Sequence, residues 1–323
     1  MKVSVLIPTY NSNQYLSECL DSVGSQDFNS MEILISDDVS SDDTIGTIRA
    51  YAARDSRIRW WQNPKNLGFV GNHNICLEQA SAEYIKFIHP DDKLLSTSAI
   101  RKMAAALDEN PSAVVAGCQQ HVTGKKSRPT VFSRKSGRYD GRRMIVASLE
   151  QNTNLIGQLT LAMFRRSAAQ GGFDNRFIGH MDFAFWCRLL EHGDFAYLAE
   201  SLAAWRVHET QQTARHEQTG SSNHEHLLCL ETFYATPWLR KAATDRMLFT
   251  QIYYLKKNYG PRAENLTSAM LAQLLRRRYA WQWLLHKVSR PFQKLARKLP
   301  GAAGRSLTFE KLAISIDSCR GKK

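Results

Sequence analysis

The stretch EYIKFIHPDD, Glu83–Asp92, runs an apolar segment into a histidine, a proline and two adjacent aspartates. Tyr84 to Ile88 has the length and composition of a short buried strand. Adjacent carboxylates repel each other, so the end of this strand calls for a neutralising partner.

Working outward, the same design recurs. KVSVLIP ends at Pro8, MEILISDD ends at Asp38, RIRWWQ precedes Asn63, and SAVVAGC ends at Cys118. Helical spacing lies between these runs. Leu16, Cys19, Leu20 and Val23 mark a helix over Tyr15–Val23. Others are predicted over Asp42–Arg54, with Ser40, Ser41 and Asp42 as capping candidates, over Phe69–Ala80, and from Ser96 or Thr97 to Glu109. Strand-helix alternation with buried strands predicts an α/β fold with a mostly parallel central sheet flanked by helices. Ligands of such sheets bind beyond the C-terminal strand ends. There the sequence places PTYN (Pro8–Asn11), DDVSSDD (Asp37–Asp43), NPKNLG (Asn63–Gly68) and HPDD (His89–Asp92). Each cluster alone is ordinary turn composition. Four on one edge point to a site.

No G-x-G-x-x-G follows the first strand and no G-x-x-x-x-G-K-[ST] occurs anywhere, which disfavours a dinucleotide dehydrogenase and a P-loop NTPase. Carboxylates can hold a phosphate only through a divalent cation. A nucleotide diphosphate bridged by Mg2+ or Mn2+ to Asp92 would neutralise the pair. The six cysteines show no CxxC spacing and read as thiols in a reducing cytoplasm. No apolar run approaches the roughly 20 residues of a spanning helix, and the N-terminal run is too short for a signal peptide.

At this point the motifs resemble a family 2 glycosyltransferase of the GT-A fold, of the kind that builds bacterial surface polysaccharides. VSVLIPTYN, ILISDDVS, NLGFVGNHN and HPDD stand in the family's order. GGFDNRFIGHMDFAFWCRLLEHGDFAYLAESLAAWRVH, Gly171–His208, is similar to its acceptor half. The resemblance covers residues 1–215, with a nucleotide-sugar half over 1–118 and an acceptor half over 119–215. It implies that Pro8, Thr9, Tyr10, Asp38, Asn66, Asn74 and Asp91 bind the nucleotide sugar, with Asp38 on the imide of uracil or thymine. Asp92 and His208 would serve the metal, Mg2+ or Mn2+. Asp182 would be the general base, and Trp186 and Arg188 would line the acceptor site. The bland alternatives are a helix cap for Asp182, a core position for Trp186, a surface one for Arg188 and a structural histidine at 208. Three positions depart from the family pattern: His89 for the first Asp of D-x-D, Val39 for Gly, and Met181 for Glu.

Charge is unevenly spread. Residues 256–323 carry 16 Lys or Arg against three acids, whereas residues 1–255 are balanced at 27 each. From Glu225 on the pattern is helical, making residues 216–323 a basic helical region. Leu271, Leu274, Leu275, Trp281, Leu284, Leu285 and Val288 form an apolar stripe, and a second follows Pro291. Apolar stripes with a basic face describe helices lying on an anionic membrane; helices packed on the catalytic domain are the alternative. No motif accompanies the charge that would suggest nucleic acid. The expected enzyme is an inverting, metal-dependent glycosyltransferase at the inner membrane face. It would take a UDP- or dTDP-sugar and a lipid-linked acceptor. A nucleotidyltransferase and an inactive membrane-binding scaffold are the rivals. Oligomeric state is not legible.

Overall fold

The computed structural model describes residues 1–124, 133, 135–209, 211 and 221–276. Met1–Thr267 form one compact unit and Ser268–Lys323 a second. The basic stripes expected beyond Arg276 lie outside the described residues.

The first unit opens with β1 (Val3–Thr9), α1 (Asn13–Gly24), β2 (Met31–Asp37), α2 (Thr44–Ala52), β3 (Ile58–Gln62), α3 (Gly68–Gln79) and β4 (Tyr84–Phe87). β1 is buried along its whole length because both faces of the sheet are covered. α1 buries Leu16, Cys19, Leu20 and Val23, the stripe its spacing predicts. Pairs β3-β2, β2-β1 and β1-β4 are all parallel, so four strands end on one edge. Then the direction changes. After β5 (Lys93–Leu94), α4 (Ala99–Asp108), β6 (Ala113–Gly124), β7 (Gly137–Tyr139) and α5 (Gly141–Gln151) come β8 (Ala162–Arg165), α6 (Met181–Leu190) and β9 (Asp194–Val207). β8 inserts antiparallel between β4 and β6, while β6 and β9 are parallel. The sheet order is β3-β2-β1-β4-β8-β6-β9-β5, with β7 beside β9. The parallel reading thus holds for the N-terminal half, and the second half is mixed.

Two features fix the strand ends. Lys86, fully buried in β4, donates from Nζ to the carbonyls of Thr160 and Ala162; burial drives its pKa down to about 8. It ties β4 to the turn before β8. Val39 keeps a left-handed backbone, φ +64°. The turn that glycine usually makes is therefore preserved with a β-branched residue, at a cost of about 1–3 kcal/mol.

The C-terminal helices α7 (Ser221–Tyr234), α8 (Pro237–Ala242) and α9 (Asp245–Asn258) lie within the first compact unit. α9 packs on α5, where Gln251 Nε2 donates to the Leu149 carbonyl at 2.6 Å. Glu225 of α7 is buried, and its Oε2 accepts the amides of Ile178 (2.8 Å), Gly179 (2.6 Å) and His180 (3.2 Å). These three residues lead into α6, whose N-cap His180 makes no side-chain cap of its own. Among the described residues, all five cysteines are unpaired thiols and buried. No helix among them is long and apolar enough to cross a membrane.

Candidate active site

A cleft of about 750 Å3 opens at the C-terminal ends of the parallel strands. Pro8, Thr9, Tyr10, Asp38, Asn66, His89, Asp91, Asp182 and His208 all line it. Residues separated by up to two hundred positions converge because four parallel strands end there and β9 returns beside β6.

One end is built by the two aspartates after β2. Asp37 is engaged in the turn, accepting from Ser40 N at 3.0 Å and Gln62 Nε2 at 3.0 Å. Asp38 faces the cleft. Its Oδ1 accepts from Asn63 Nδ2 (2.9 Å) and Leu67 N (2.8 Å), and its Oδ2 from Gly68 N (3.0 Å). Two of those donors come from the left-handed turn at Gly68, φ +75°, that opens α3. Oδ2 accepts one such bond and retains acceptor capacity toward the cleft. Asn66 locks the same turn, donating to the Asp38 carbonyl at 2.9 Å. Tyr10 and Val39, both exposed, sit beside it on the wall.

The centre holds the two carboxylates after β4, and the structure separates them. Asp91 lies on the wall with Oδ2 2.8 Å from His208 Nε2. Burial works against its charge, but the His208 bond and neighbouring His89 outweigh it and hold its carboxyl below the usual range. Asp92 points inward and is 2% exposed. Thr160 Oγ1 bonds its Oδ2 at 2.5 Å, and Arg206 N donates to its Oδ1 at 2.8 Å. Burial, and then the adjacent Asp91, push its carboxyl well above the usual range. One carboxylate keeps its charge and the other shifts toward neutrality, so the repulsion implied by the sequence is relieved. Asp91, expected beside the nucleotide sugar, lines the cleft, and Asp92, expected on the metal, is buried next to it within the same cluster. His89, Asp91 and Asp92 bring ligand atoms within 4.8 Å of one another. A nitrogen and carboxylate oxygens suit a divalent cation, so the residues fit Mg2+ or Mn2+.

The far end carries Asp182 in the first turn of α6. It is the second helical residue, not the N-cap, which is His180. Its Oδ1 accepts from Phe183 N at 2.6 Å, and Asn154 Nδ2 stands 3.4 Å from Oδ2. Burial pushes its pKa up to about 6. A carboxyl of that pKa is a competent proton acceptor at neutral pH.

Three expected site residues lie elsewhere. Trp186 is fully buried, donating to the Gly157 carbonyl at 2.8 Å and packed against Phe164 and Phe185. It shares a helix face with Asp182 but sits one turn deeper, inside the core. Arg188 bonds the Gly172 carbonyl and lies over the Phe185 ring, away from the cleft. Asn74 points to the Phe173 backbone, its Oδ1 2.6 Å from that amide. Sequence reasoning missed Asn63, Asn72 and Thr160, which hold Asp38, the Thr9 carbonyl and Asp92. Gln158, which lines the cleft, was missed as well. Asn63 and Asn72 stand in the quoted stretches NPKNLG and NLGFVGNHN, which was the available signal.

The family model described as Glycosyl transferase family 2 matches residues 4–173. The chain is a family 2 glycosyltransferase. The Campylobacter jejuni GalNAc(5)-diNAcBac-PP-undecaprenol beta-1,3-glucosyltransferase is 29% identical over 211 residues, 64% of this chain and 65% of its own length. The match therefore spans just under two thirds of that relative. The crystal structure of S. aureus TarS 1-349 with UDP-GlcNAc superposes with a TM-score of 0.59 at 17% identity, covering 85% of this glycosyltransferase and 88% of that TarS fragment. A mannosyltransferase from Pyrobaculum calidifontis in complex with GDP-Man and Mn2+ reaches 0.57 at 16% identity, covering 91% and 82%. The glycosyltransferase thus has the GT-A fold, which its relatives use with more than one nucleotide.

Proposed function

We propose that this glycosyltransferase moves a sugar from a UDP- or dTDP-sugar to an acceptor hydroxyl with inversion at the anomeric carbon. The observation that carries the reading is the placement of Asp38, Asp91 with His208, and Asp182 around one cleft of about 750 Å3. Asp38 is an acceptor for the N3–H of uracil or thymine. Pro8, Thr9, Tyr10 and Asn66 shape the base and ribose end. Asp91 and His208, with His89 and Asp92 behind, would hold Mg2+ or Mn2+, which when bound stabilises the charge gained by the diphosphate. Asp182 removes the acceptor proton as the oxygen attacks the anomeric carbon from the face opposite the leaving group. The bond from that carbon to the diphosphate breaks, and its electron pair leaves with the diphosphate. A single base and in-line attack give inversion and need no covalent intermediate. In this reading the nucleotide-sugar half is 1–118 and the acceptor half 119–215.

A lipid-linked acceptor is supported by the C. jejuni relative, whose name places its substrate on PP-undecaprenol. The basic residues after 255 support a peripheral position on the inner membrane face. Incubation of the full chain with UDP-, dTDP- and GDP-sugars, with and without Mn2+, tests the core. Metal-dependent release of UDP or dTDP is expected. Turnover of GDP-sugars alone, or turnover unaffected by chelation, would refute it.

A further inference from the structure

In the cleft wall, His73 and His89 meet through Nε2 and Nε2 at 3.2 Å, their rings edge to face at 74°. One of these nitrogens must donate and the other accept, and His73 decides which. Its Nδ1 stands 2.7 Å from the Phe69 carbonyl oxygen. A carbonyl can only accept, so Nδ1 carries the hydrogen. The ring is 1% exposed and enclosed by Phe69, Phe87 and Phe173, apolar surroundings that disfavour a charged imidazolium. The ring is neutral, which leaves its Nε2 as a bare acceptor. His89 therefore donates through Nε2, and when neutral it carries its lone pair on Nδ1. That is the nitrogen turned toward the carboxylates, 3.7 Å from Asp92 Oδ2.

We propose that His73 is a positioning residue that locks His89 in the tautomer with a bare Nδ1. The cation in the cleft then takes one imidazole nitrogen beside carboxylate oxygen, and Mn2+ is preferred over Mg2+. The inference rests on the metal reading under Proposed function. An aspartate at position 89 would offer another hard oxygen, suited to Mg2+. A histidine there offers a softer nitrogen, which Mg2+ accepts reluctantly, and offers it only if its other nitrogen is the protonated one. Neighbours of this kind, which orient a ligand without touching the metal, typically change metal affinity by about 10–100-fold.

The test uses the full chain with UDP and Mn2+, read by electron paramagnetic resonance rather than turnover. Bound Mn2+ should show nitrogen hyperfine coupling that weakens in His89→Asp. The ratio of Mn2+ to Mg2+ affinity should fall at least about tenfold in that variant. His73→Phe should weaken Mn2+ binding by about tenfold or more. His73→Gln, whose side-chain carbonyl can accept from His89, should recover most of it, and this variant decides the matter if the Phe variant misfolds. Nitrogen coupling unchanged in His89→Asp would assign it to His208 and overturn the proposal, as would normal Mn2+ affinity in His73→Phe. Bound Mn2+ with no nitrogen coupling in the unaltered chain also overturns it and leaves the metal reading intact. No Mn2+ binding at all removes both.

Discussion

Asp182→Asn should make the protein more stable and almost inactive at the same time. Burial raises the Asp182 pKa from 3.8 to about 6. A raised carboxyl pKa means that the folded state favours the neutral form. The stability tied to that preference is fully present below about pH 4 and is lost as pH rises through about 6. Keeping the buried group ionised therefore costs the folded state about 3 kcal/mol at pH 8 and about 1 kcal/mol at pH 4.5. Asparagine is neutral throughout and removes the penalty. Part of the gain is returned, because the new amide must share space with Asn154 Nδ2, 3.4 Å from Oδ2. A net gain of about 1–3 kcal/mol at pH 8 should raise Tm by roughly 1–2 °C per kcal/mol in a chain of this size. At pH 4.5 the gain should shrink to about 1 kcal/mol or less. Loss of the base should lower kcat by at least about a hundredfold while UDP affinity is unchanged. Melting curves at the two pH values, with calorimetric UDP titration, provide the readout. A variant that melts below the parent at pH 8, or a Tm difference that ignores pH, would refute the argument from burial.

Four further outcomes are expected. Asp91→Asn should abolish Mn2+-dependent UDP binding, whereas Asp92→Asn, whose amide can still meet Thr160 and Arg206 N, should weaken it by less than about tenfold; equal losses in calorimetry would return the metal contact to Asp92. Val39→Gly should relieve the left-handed backbone at φ +64° and raise stability by about 1 kcal/mol net of the glycine entropy cost, and a lower Tm would show that the side chain contributes packing. UDP with Mn2+ should raise Tm more than GDP with Mn2+, and equal shifts would remove Asp38 from base recognition. The full chain should co-sediment with anionic vesicles but not neutral ones, and high salt should weaken it. A chain ending at Arg276 should lose this binding and keep UDP binding. Binding to both vesicle types or to neither would leave the basic region without a membrane role.

The fold was legible because its strands and helices are strongly periodic. Leu16, Cys19, Leu20 and Val23 in α1 and the continuous apolar run of β1 need no tertiary information. The strand ends that carry the site were legible for the same reason. What pattern could not settle was side-chain direction. Asp91 and Asp92 are adjacent and chemically identical, and only the position of Thr160 and Arg206 turns Asp92 inward. Trp186 follows Asp182 on the same helical face, yet one turn of depth moves it from cleft to core. Asn74 lies on α3, as does Asn72, which bonds the Thr9 carbonyl at 3.1 Å, and it instead serves the Phe173 backbone. The second half of the sheet was harder. β8 inserts between β4 and β6 although β7 and α5 separate it from β6 in the chain, and no local signal announces such an insertion.

The buried Glu225 carboxylate bears on how acceptor specificity can be recombined among related enzymes. It sits well past residue 173, where the family match ends, yet it holds the amides of Ile178, Gly179 and His180 that deliver Asp182 to the cleft. A chimaera spliced near residue 215 would keep the loop from one parent and take the helix from another. Three aligned amides would then face whatever side chain the second parent supplies. The loop and α7 are exchangeable only together, and a graft meant to change the sugar acceptor should place its joint after Thr267, where the compact unit ends.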